Sequence, residues 1–222
     1  MAHIAEDLLL LLLDNAAGRP ALDDDRRRRL LGAAVLLDLA YTCRIRPSEP
    51  GDPVAPNRLV VLMGGAAPDP VAASALKLLA RKPIAAAAAI NKLSRTAERQ
   101  LFEQLELTGQ LETTRLYTKG IRRQYAWTLV DRTRPARARA AILAAVADYQ
   151  PPGPSAAAII TLLHSADALG ALLSFDPAGW QRVNGRAGEI ASGSWVNESP
   201  TGLPEMNLAV TAAVVRAALR EP

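Results

Sequence analysis

The chain has few of the residues on which catalytic, metal-binding and disulfide-bonded proteins depend. Its 222 residues include one cysteine, Cys43, and two histidines, His3 and His164. A single cysteine excludes an intramolecular disulfide and is typical of a reducing compartment. One cysteine and two distant histidines also form no zinc site of standard spacing, so we predict neither a bound metal nor any other cofactor. The glycine-rich loops that bind nucleotides, G-x-x-x-x-G-K and G-x-G-x-x-G, are missing as well.

Long hydrophobic runs and aromatic residues are also scarce. Residues 8–13 are six consecutive leucines with acids on both sides, at Asp7 and Asp14. A membrane-spanning helix needs about 20 apolar residues, and a secretory signal needs a positively charged lead-in that this run lacks. We therefore predict a short helix, apolar on every side, buried at the centre of the protein. Aromatic residues make up 4% of the chain, so alanine and leucine must supply the packing, which favours helices over sheets.

The pattern along the chain predicts a mainly α fold: a compact multi-helix domain around the leucine helix, with one β-hairpin. We expect a single domain over residues 1–222 and the hairpin at about 113–130, turning at Lys119-Gly120. Two short extended pieces are predicted at 43–46 and 58–62. Helices are predicted within residues 6–13, 21–45, 68–80, 82–111, 134–149, 156–173, 179–191 and 207–220.

The polar residues give no positive case for an enzyme, and no catalytic residue is assigned. Ser165 and Asp167 follow His164 in sequence, but neighbouring helical residues point about 100° apart, and no G-x-S-x-G elbow accompanies them. We interpret His164 as a core or capping histidine. The acids Asp7 and Asp14, together with Glu6, are predicted to cap the ends of the leucine helix.

Two basic features are more suggestive, and the chain as a whole carries a formal charge of +4. One is the cluster Arg26–Arg29, which follows three aspartates and is typical of a solvated helix start. The other is the predicted hairpin tip, where Lys119, Arg122 and Arg123 surround the apolar Ile121. Cations beside one apolar residue suit an anionic membrane surface.

The same hairpin suits two other functions. It resembles the wing of a winged-helix DNA-binding protein, preceded by a helix that carries Arg95 and Arg99. That helix also contains three glutamates, which phosphates would repel, so nucleic acid is the disfavoured partner. A purely structural or protein-binding scaffold is the third alternative.

The order of the predicted elements resembles the Golgi phosphoprotein 3 family, and within it a bacterial member. The leucine run followed by "D…GR" and the helix "LLHSADAL" carry the resemblance most specifically, and it covers nearly the full chain. It implies a mainly helical domain with a projecting β-hairpin. Eukaryotic relatives are peripheral membrane proteins that bind phosphatidylinositol 4-phosphate, retain Golgi glycosyltransferases and self-associate through the hairpin.

The resemblance implies a non-enzymatic, cytoplasmic, peripherally membrane-associated protein. The expected partners are anionic lipid, a second copy of the chain at the hairpin, and a membrane protein. Four positions of the eukaryotic lipid pocket, one tryptophan and three arginines, align with Leu22, Leu31, Ser94 and Ala97, so we expect no strong preference for the 4-phosphate. The residues proposed to bind an anionic headgroup are Arg28, Arg29, Arg95 and Arg99, and those proposed for membrane contact or self-association are Lys119, Ile121, Arg122 and Arg123.

Overall fold

The six leucines lie in helix α1 (Ile4–Leu13), and each of them is at most 1% exposed. This arrangement is seen in a computed structural model of the chain, which describes residues 3–16, 19–64, 69–116 and 124–220. Helix α2 (Asp24–Tyr41) packs beside α1 and buries an unbroken run from Leu30 to Leu37. The prediction that the leucines form a buried central helix is confirmed.

Seven further α-helices surround this pair within the described residues. Helix α2 packs against α3, α4, α5, α7 and α9, and α1 packs against α5, α6 and α7. The fold is mainly α, as predicted. The bounds are α3 (Pro70–Leu79), α4 (Ala86–Leu93), α5 (Ala97–Leu107), α6 (Thr133–Val146), α7 (Pro154–Ser165), α8 (Pro177–Ala191) and α9 (Leu203–Arg220), with 3₁₀ turns at Leu169–Ala171 and Ser194–Asn197.

Aspartate side chains cap the N-termini of three of these helices. The carboxylates of Asp23, Asp69 and Asp176 each accept a hydrogen bond from a backbone N–H three residues later, at the starts of α2, α3 and α8. Such caps satisfy N–H groups that have no partner inside the helix. Helices α3, α7 and α8 also begin with proline, whose missing N–H costs nothing at that position.

A small antiparallel sheet contains the two predicted extended pieces. Strand β1 (Ile45–Pro47) pairs with β2 (Arg58–Val61), placing Ile45 opposite Val61. Strand β3 (Ile84–Ala85) pairs with the other edge of β2. The sequence did not predict β3, because two residues directly before a helix are too few to show an alternating pattern.

The predicted hairpin is present and is longer at its base than expected. Strand β4 (Leu111–Leu116) pairs with β5 (Gln124–Leu129) in a register that runs from Leu111 opposite Leu129 to Leu116 opposite Gln124. Leu111 and Leu129 are buried, whereas residues 112–114 are exposed. The helical body therefore holds the hairpin at its base. The predicted turn at Lys119-Gly120 lies outside the described residues.

The start of α1 is held by the carboxyl group of a residue on α2. The backbone N–H groups of Ile4 and Ala5 donate to the two oxygens of Asp38, at 2.7 and 3.0 Å. Burial raises the pKa of Asp38 to about 8, although the two N–H donors act in the opposite direction. Nearby Asp69 and Asp7 raise this pKa further.

The acids on α1 have a different role from the predicted capping. Arg134 of α6 pairs with Glu6 at 2.8 Å and with Asp7 at 2.7 Å, and Arg139 pairs with Asp14 at 2.5 Å. At the C-terminal end of a helix a carboxylate is unfavourable beside the exposed carbonyls, and an arginine from outside offsets that repulsion. These contacts fix α6 along α1.

Asp38 makes stability fall as pH rises across the neutral range. The folded-state pKa of Asp38, about 8, exceeds the ordinary value of 3.8. At a pH between these two values, unfolding therefore releases a proton, and the stabilisation from the protonated group is lost as the pH increases. We expect Asp38→Asn to flatten the dependence of the unfolding free energy on pH between these values. The difference in slope has a ceiling of about 1.4 kcal/mol per pH unit for one proton. Urea denaturation across this range measures it.

Asp52→Asn is the matched control. The hydrogen bond from Arg46 holds the pKa of Asp52 at about 2, so this carboxylate contributes only on the acid side and the slope near neutral pH should stay as in the wild type. Superimposable neutral profiles for the wild type and Asp38→Asn would contradict the role of Asp38.

Candidate functional site

The arginine cluster Arg26–Arg29 occupies the first two turns of α2. Because successive residues of a helix point about 100° apart, its side chains divide between two sides of the helix. Arg27 and Arg28 face α5, whereas Arg26 and Arg29 face the C-terminal ends of α7 and α9. Four arginines that are adjacent in sequence therefore belong to two different sites.

The larger site, which we call the α2–α5 cleft, lies between the start of α2, helix α5 and strand β5. Its volume is about 790 Å³. Its charged lining contains as many basic as acidic residues. They are Arg19, Arg27, Arg28 and Arg99, and Asp24, Glu98, Glu103 and Glu106.

Most of these charged side chains form ion pairs with one another. Glu98 accepts from Arg27 at 2.5 Å and from Arg28 at 3.1 Å, and the Glu98 side chain is only 14% exposed. The hydrogen bond to Glu98 raises the pKa of the Arg28 guanidinium. On the rim, Arg99 pairs with Glu103 at 2.6 Å. The paired charges leave the cleft electrostatically balanced and weakly suited to an anion.

Aromatic side chains form one wall of the cleft. The ring of Phe102 on α5 stacks on Trp127 of β5, with centroids 4.4 Å apart and planes 25° apart. Tyr125 lies 6.4 Å from the Trp127 ring. This stack holds β5 against α5 beside the ion pairs and gives the cleft an apolar wall.

Two of the four positions aligned with the eukaryotic lipid pocket lie in the core. Leu31 is fully buried and Ala97 is 1% exposed, so both side chains belong to the core. Gly32 lets α4 approach α2 closely, since a Cβ atom there would lie 3.0 Å from the backbone nitrogen of Ser94. Of the four, only Leu22 lines the cleft.

The structure brings only two of the four proposed headgroup residues together. Arg28 and Arg99 line the α2–α5 cleft, and both pair with glutamates there. Arg29 lies on the other side of α2, where its Nη2 donates to the carbonyl of Ala218 at 3.4 Å. Arg95 is exposed between α4 and α5 and lines neither site. The hairpin residues 119–123 lie outside the described part of the chain.

The surroundings of His164 do not activate a nucleophile. The hydroxyl of Ser165 donates to the carbonyl of Thr161 at 2.5 Å, so its proton already has an acceptor within the helix. Burial, followed by the charges of Arg220 and Arg216, lowers the pKa of His164, and only Asp167 acts in the opposite direction. Within the described residues, no three His, Cys, Asp or Glu side chains are grouped so that they could hold a metal ion.

The sequence missed the role of Glu98 and the aromatic wall. Glu98 stood out only as one of three acids on a predicted helix, and its partners Arg27 and Arg28 lie about seventy positions earlier. The sequence offered one hint of this role: Glu98 is a charged residue in the first turn of an amphipathic helix, directly after the buried Ala97. Pairing over such a separation follows from the packing of α2 on α5, which local periodicity does not specify.

The model of the Golgi phosphoprotein 3 (GPP34) family matches residues 4–201, a span that includes α1, the α2–α5 cleft and the hairpin. No curated protein matches the chain.

The buried ion pair in the cleft should support stability rather than ligand binding. Glu98→Gln leaves the Arg27 guanidinium, 9% exposed, without its closest anionic partner. We expect a loss of about 2 kcal/mol in unfolding free energy because a desolvated charge becomes poorly compensated. Urea denaturation at neutral pH measures this loss.

Glu103→Gln provides the control, since Glu103 and Arg99 are both more than half exposed. An exposed pair contributes little, and a change of less than about 0.5 kcal/mol is expected. Equal effects of the two substitutions would contradict the distinction between the buried and the surface pair.

Proposed function

Because the chain belongs to the Golgi phosphoprotein 3 family, we propose that it is a non-enzymatic peripheral protein that docks on anionic membrane surfaces. The observation that carries the proposal is the anchored hairpin, whose strands β4 and β5 are fixed at their base and are joined by residues 117–123. That connection contains three basic residues and one isoleucine. The membrane contact is assigned to this segment.

The anchoring of the hairpin supports this assignment. Leu111 and Leu129 enter the core, and the Phe102–Trp127 stack holds β5 against α5. The strand side chains from Glu112 to Thr114 are exposed, so nothing in the described residues covers that stretch. A rigid base reduces the conformational entropy that a binding segment loses when it meets its target.

Two physical terms hold such a segment on a membrane. Each lysine or arginine near an acidic surface contributes about 1 kcal/mol, so Lys119, Arg122 and Arg123 together give about 3 kcal/mol at low salt. Added salt screens this term. Removal of the Ile121 side chain from water adds about 1–2 kcal/mol, which salt does not screen.

The α2–α5 cleft is less suited to anionic lipid than the hairpin. Its arginines face as many carboxylates, and Arg28 already pairs with Glu98. In our proposal the cleft helps to position the hairpin, and the hairpin supplies the attraction to acidic lipid.

The hairpin is also the proposed surface for self-association and for contact with a membrane protein. Strands β4 and β5 form a two-stranded sheet in the described residues, so each strand offers one edge to which a further strand can pair. Self-association of this kind would place two basic segments on one surface and strengthen docking through avidity.

Nucleic acid is the weaker alternative. A winged-helix protein would present α5 to the major groove, yet Glu103 and Glu106 are exposed on that helix. Carboxylates facing phosphates oppose binding.

We propose that the protein acts on the cytoplasmic face of a membrane. No helix in the described ranges combines the length and apolar character needed to cross a bilayer.

The hairpin assignment can be tested by charge reversal. The triple variant Lys119→Glu, Arg122→Glu and Arg123→Glu should lose sedimentation with vesicles of phosphatidylcholine and phosphatidylserine, because the attraction becomes repulsion. Ile121→Ser should weaken binding by about 1 kcal/mol, also at high salt, where the electrostatic term is screened.

The matched control reverses three exposed basic residues elsewhere, Lys77, Arg81 and Lys82. It has the same net charge as the hairpin variant and should still sediment. Wild-type sedimentation of the hairpin variant would refute this contact, and duplex DNA binding that only this variant loses would favour the nucleic-acid alternative.

A further inference from the structure

The outer face of α9 is apolar along most of its length. Residues spaced alternately three and four positions apart share one side of a helix, and on this side α9 has no charged residue before Arg220, its last residue. These residues, which we call the α9 stripe, are Leu203, Met206, Val210, Ala213 and Ala217. The three larger side chains are each more than half exposed, and Ala217 is exposed as well. Contiguous apolar surface of this kind marks an interaction surface.

The opposite face of α9 already has its partners. Leu208, Ala212 and Val215 are buried there, and the helix packs against α2, α4 and α7. Packing within the described part of the chain therefore explains why the inner face of α9 is apolar. It does not explain the α9 stripe, whose larger side chains remain in water.

A groove of about 400 Å³ runs beside the bulky end of the stripe, between α9 and strand β1. Leu62 and Cys43 line this groove together with residues of the stripe. Its charged lining residues are Arg46 and Glu49, and Arg46 also pairs with Asp52 at 2.6 Å. The two carboxylates offset the charge of Arg46, so the groove has no excess positive charge with which to attract an acidic lipid surface.

The α9 stripe also lies away from the hairpin. Helix α2 lies between α9 and α5, because Arg28 pairs with Glu98 of α5 while Arg29 contacts the carbonyl of Ala218 in α9. The hairpin packs on α5 through the Phe102–Trp127 stack. The outer face of α9 is therefore a surface distinct from the proposed membrane contact.

We propose that the α9 stripe binds the same stripe of a second copy of the chain, with the two helices antiparallel. In a two-fold symmetric dimer the same surface of both copies is in contact, so charged residues near the axis would face like charges. The stripe meets this requirement because its five residues are uncharged. The inference goes beyond the proposed membrane function and does not rest on it, because the stripe and the hairpin contain different residues.

The distribution of side chains along the stripe favours the antiparallel arrangement. The larger residues, from Leu203 to Val210, occupy its N-terminal half, and the alanines occupy its C-terminal half. Antiparallel pairing places each bulky half against the alanine half of the other copy. Parallel pairing would hold the helices apart at the bulky end, leave a gap between the alanines and bring the two Arg220 side chains together.

The size of the stripe indicates a weak dimer. From residue 203 to residue 217 it is about 22 Å long and about 10 Å wide. An interface of standard size buries about 800 Å² on each partner, which is more than one helix face of these dimensions provides. We therefore expect an association that depends on protein concentration, with folded monomers at low concentration.

Sedimentation velocity of the full chain over a range of concentrations tests the proposal. Val210→Lys places a charge at the centre of the stripe and should raise the dissociation constant of the dimer at least tenfold, equivalent to about 1.4 kcal/mol. The matched control is Leu107→Lys, which adds the same charge at an exposed leucine at the end of α5. The control should associate as the wild type does, and both variants should keep the far-UV circular dichroism of the wild type.

Two results of this experiment would overturn the proposal. One is a wild type that stays monomeric at every concentration. The other is equal weakening by Val210→Lys and Leu107→Lys, which would show that repulsion by net charge and not contact through the stripe governs association.

A charge pair tests the antiparallel arrangement. Leu203→Glu and Ala217→Lys introduce opposite charges about 21 Å apart on one helix, too far to interact within a copy. Each substitution alone should weaken the dimer. The double variant brings the glutamate of one copy near the lysine of the other and should bind about threefold more tightly than either single variant. A double variant as weak as the single variants would overturn the antiparallel arrangement.

The hairpin charge-reversal variant separates failure of this proposal from failure of the membrane proposal. It should lose vesicle sedimentation but keep the association of the wild type in solution. Association that survives Val210→Lys and disappears only in the hairpin variant would show that the copies meet through the hairpin, and would overturn the role of the stripe. A monomeric wild type whose vesicle sedimentation is weakened by Val210→Lys would overturn it as well, in favour of lipid contact.

Discussion

Burial of α1 is the constraint on which the rest of the structure depends. A helix that is apolar on every side is stable only in the interior, where its polar ends must find partners in the protein. Asp38 of α2 accepts the first N–H groups, and Arg134 and Arg139 of α6 pair with the acids of α1. These contacts hold α2 and α6 against the leucine helix. Because α1 occupies the interior, the faces available for binding belong to the surrounding helices and to the hairpin.

The sequence predicted those helices and strands that are specified by the pattern of residues within the segment itself. Leucine-rich and alanine-rich segments predicted the helices, and "YAWTLV" predicted the second strand of the hairpin. The hairpin was predicted to begin at about residue 113 rather than at Leu111, because residues 112–114 are polar and exposed and show no alternation. Its pairing down to Leu111 follows from the burial of that leucine opposite Leu129. Similarly, the two-residue strand β3 exists only because β2 lies beside it.

Contacts between distant charges could not be predicted in the same way. Adjacency in sequence grouped Arg26–Arg29 into one basic cluster, but the geometry of a helix divides the cluster between two sides. Which group each arginine contacts then depends on the neighbouring element. Glu98 of α5 balances Arg28 in the cleft, whereas Arg29 contacts the carbonyl of Ala218 in α9. Neither partner lies within sixty residues of its arginine, and the periodicity of α2 contains no information about them.

The division of the arginines has a consequence for how the proposed membrane function would depend on salt. Charges on an exposed segment attract an acidic surface over about 8 Å at physiological ionic strength, so the hairpin governs approach and is sensitive to salt. Arginines that pair with carboxylates in the α2–α5 cleft, such as Arg28 with Glu98, add little to this long-range attraction because the two charges largely cancel at a distance. In the proposed function, the cleft therefore positions the hairpin, and the basic residues of the hairpin provide the salt-sensitive attraction.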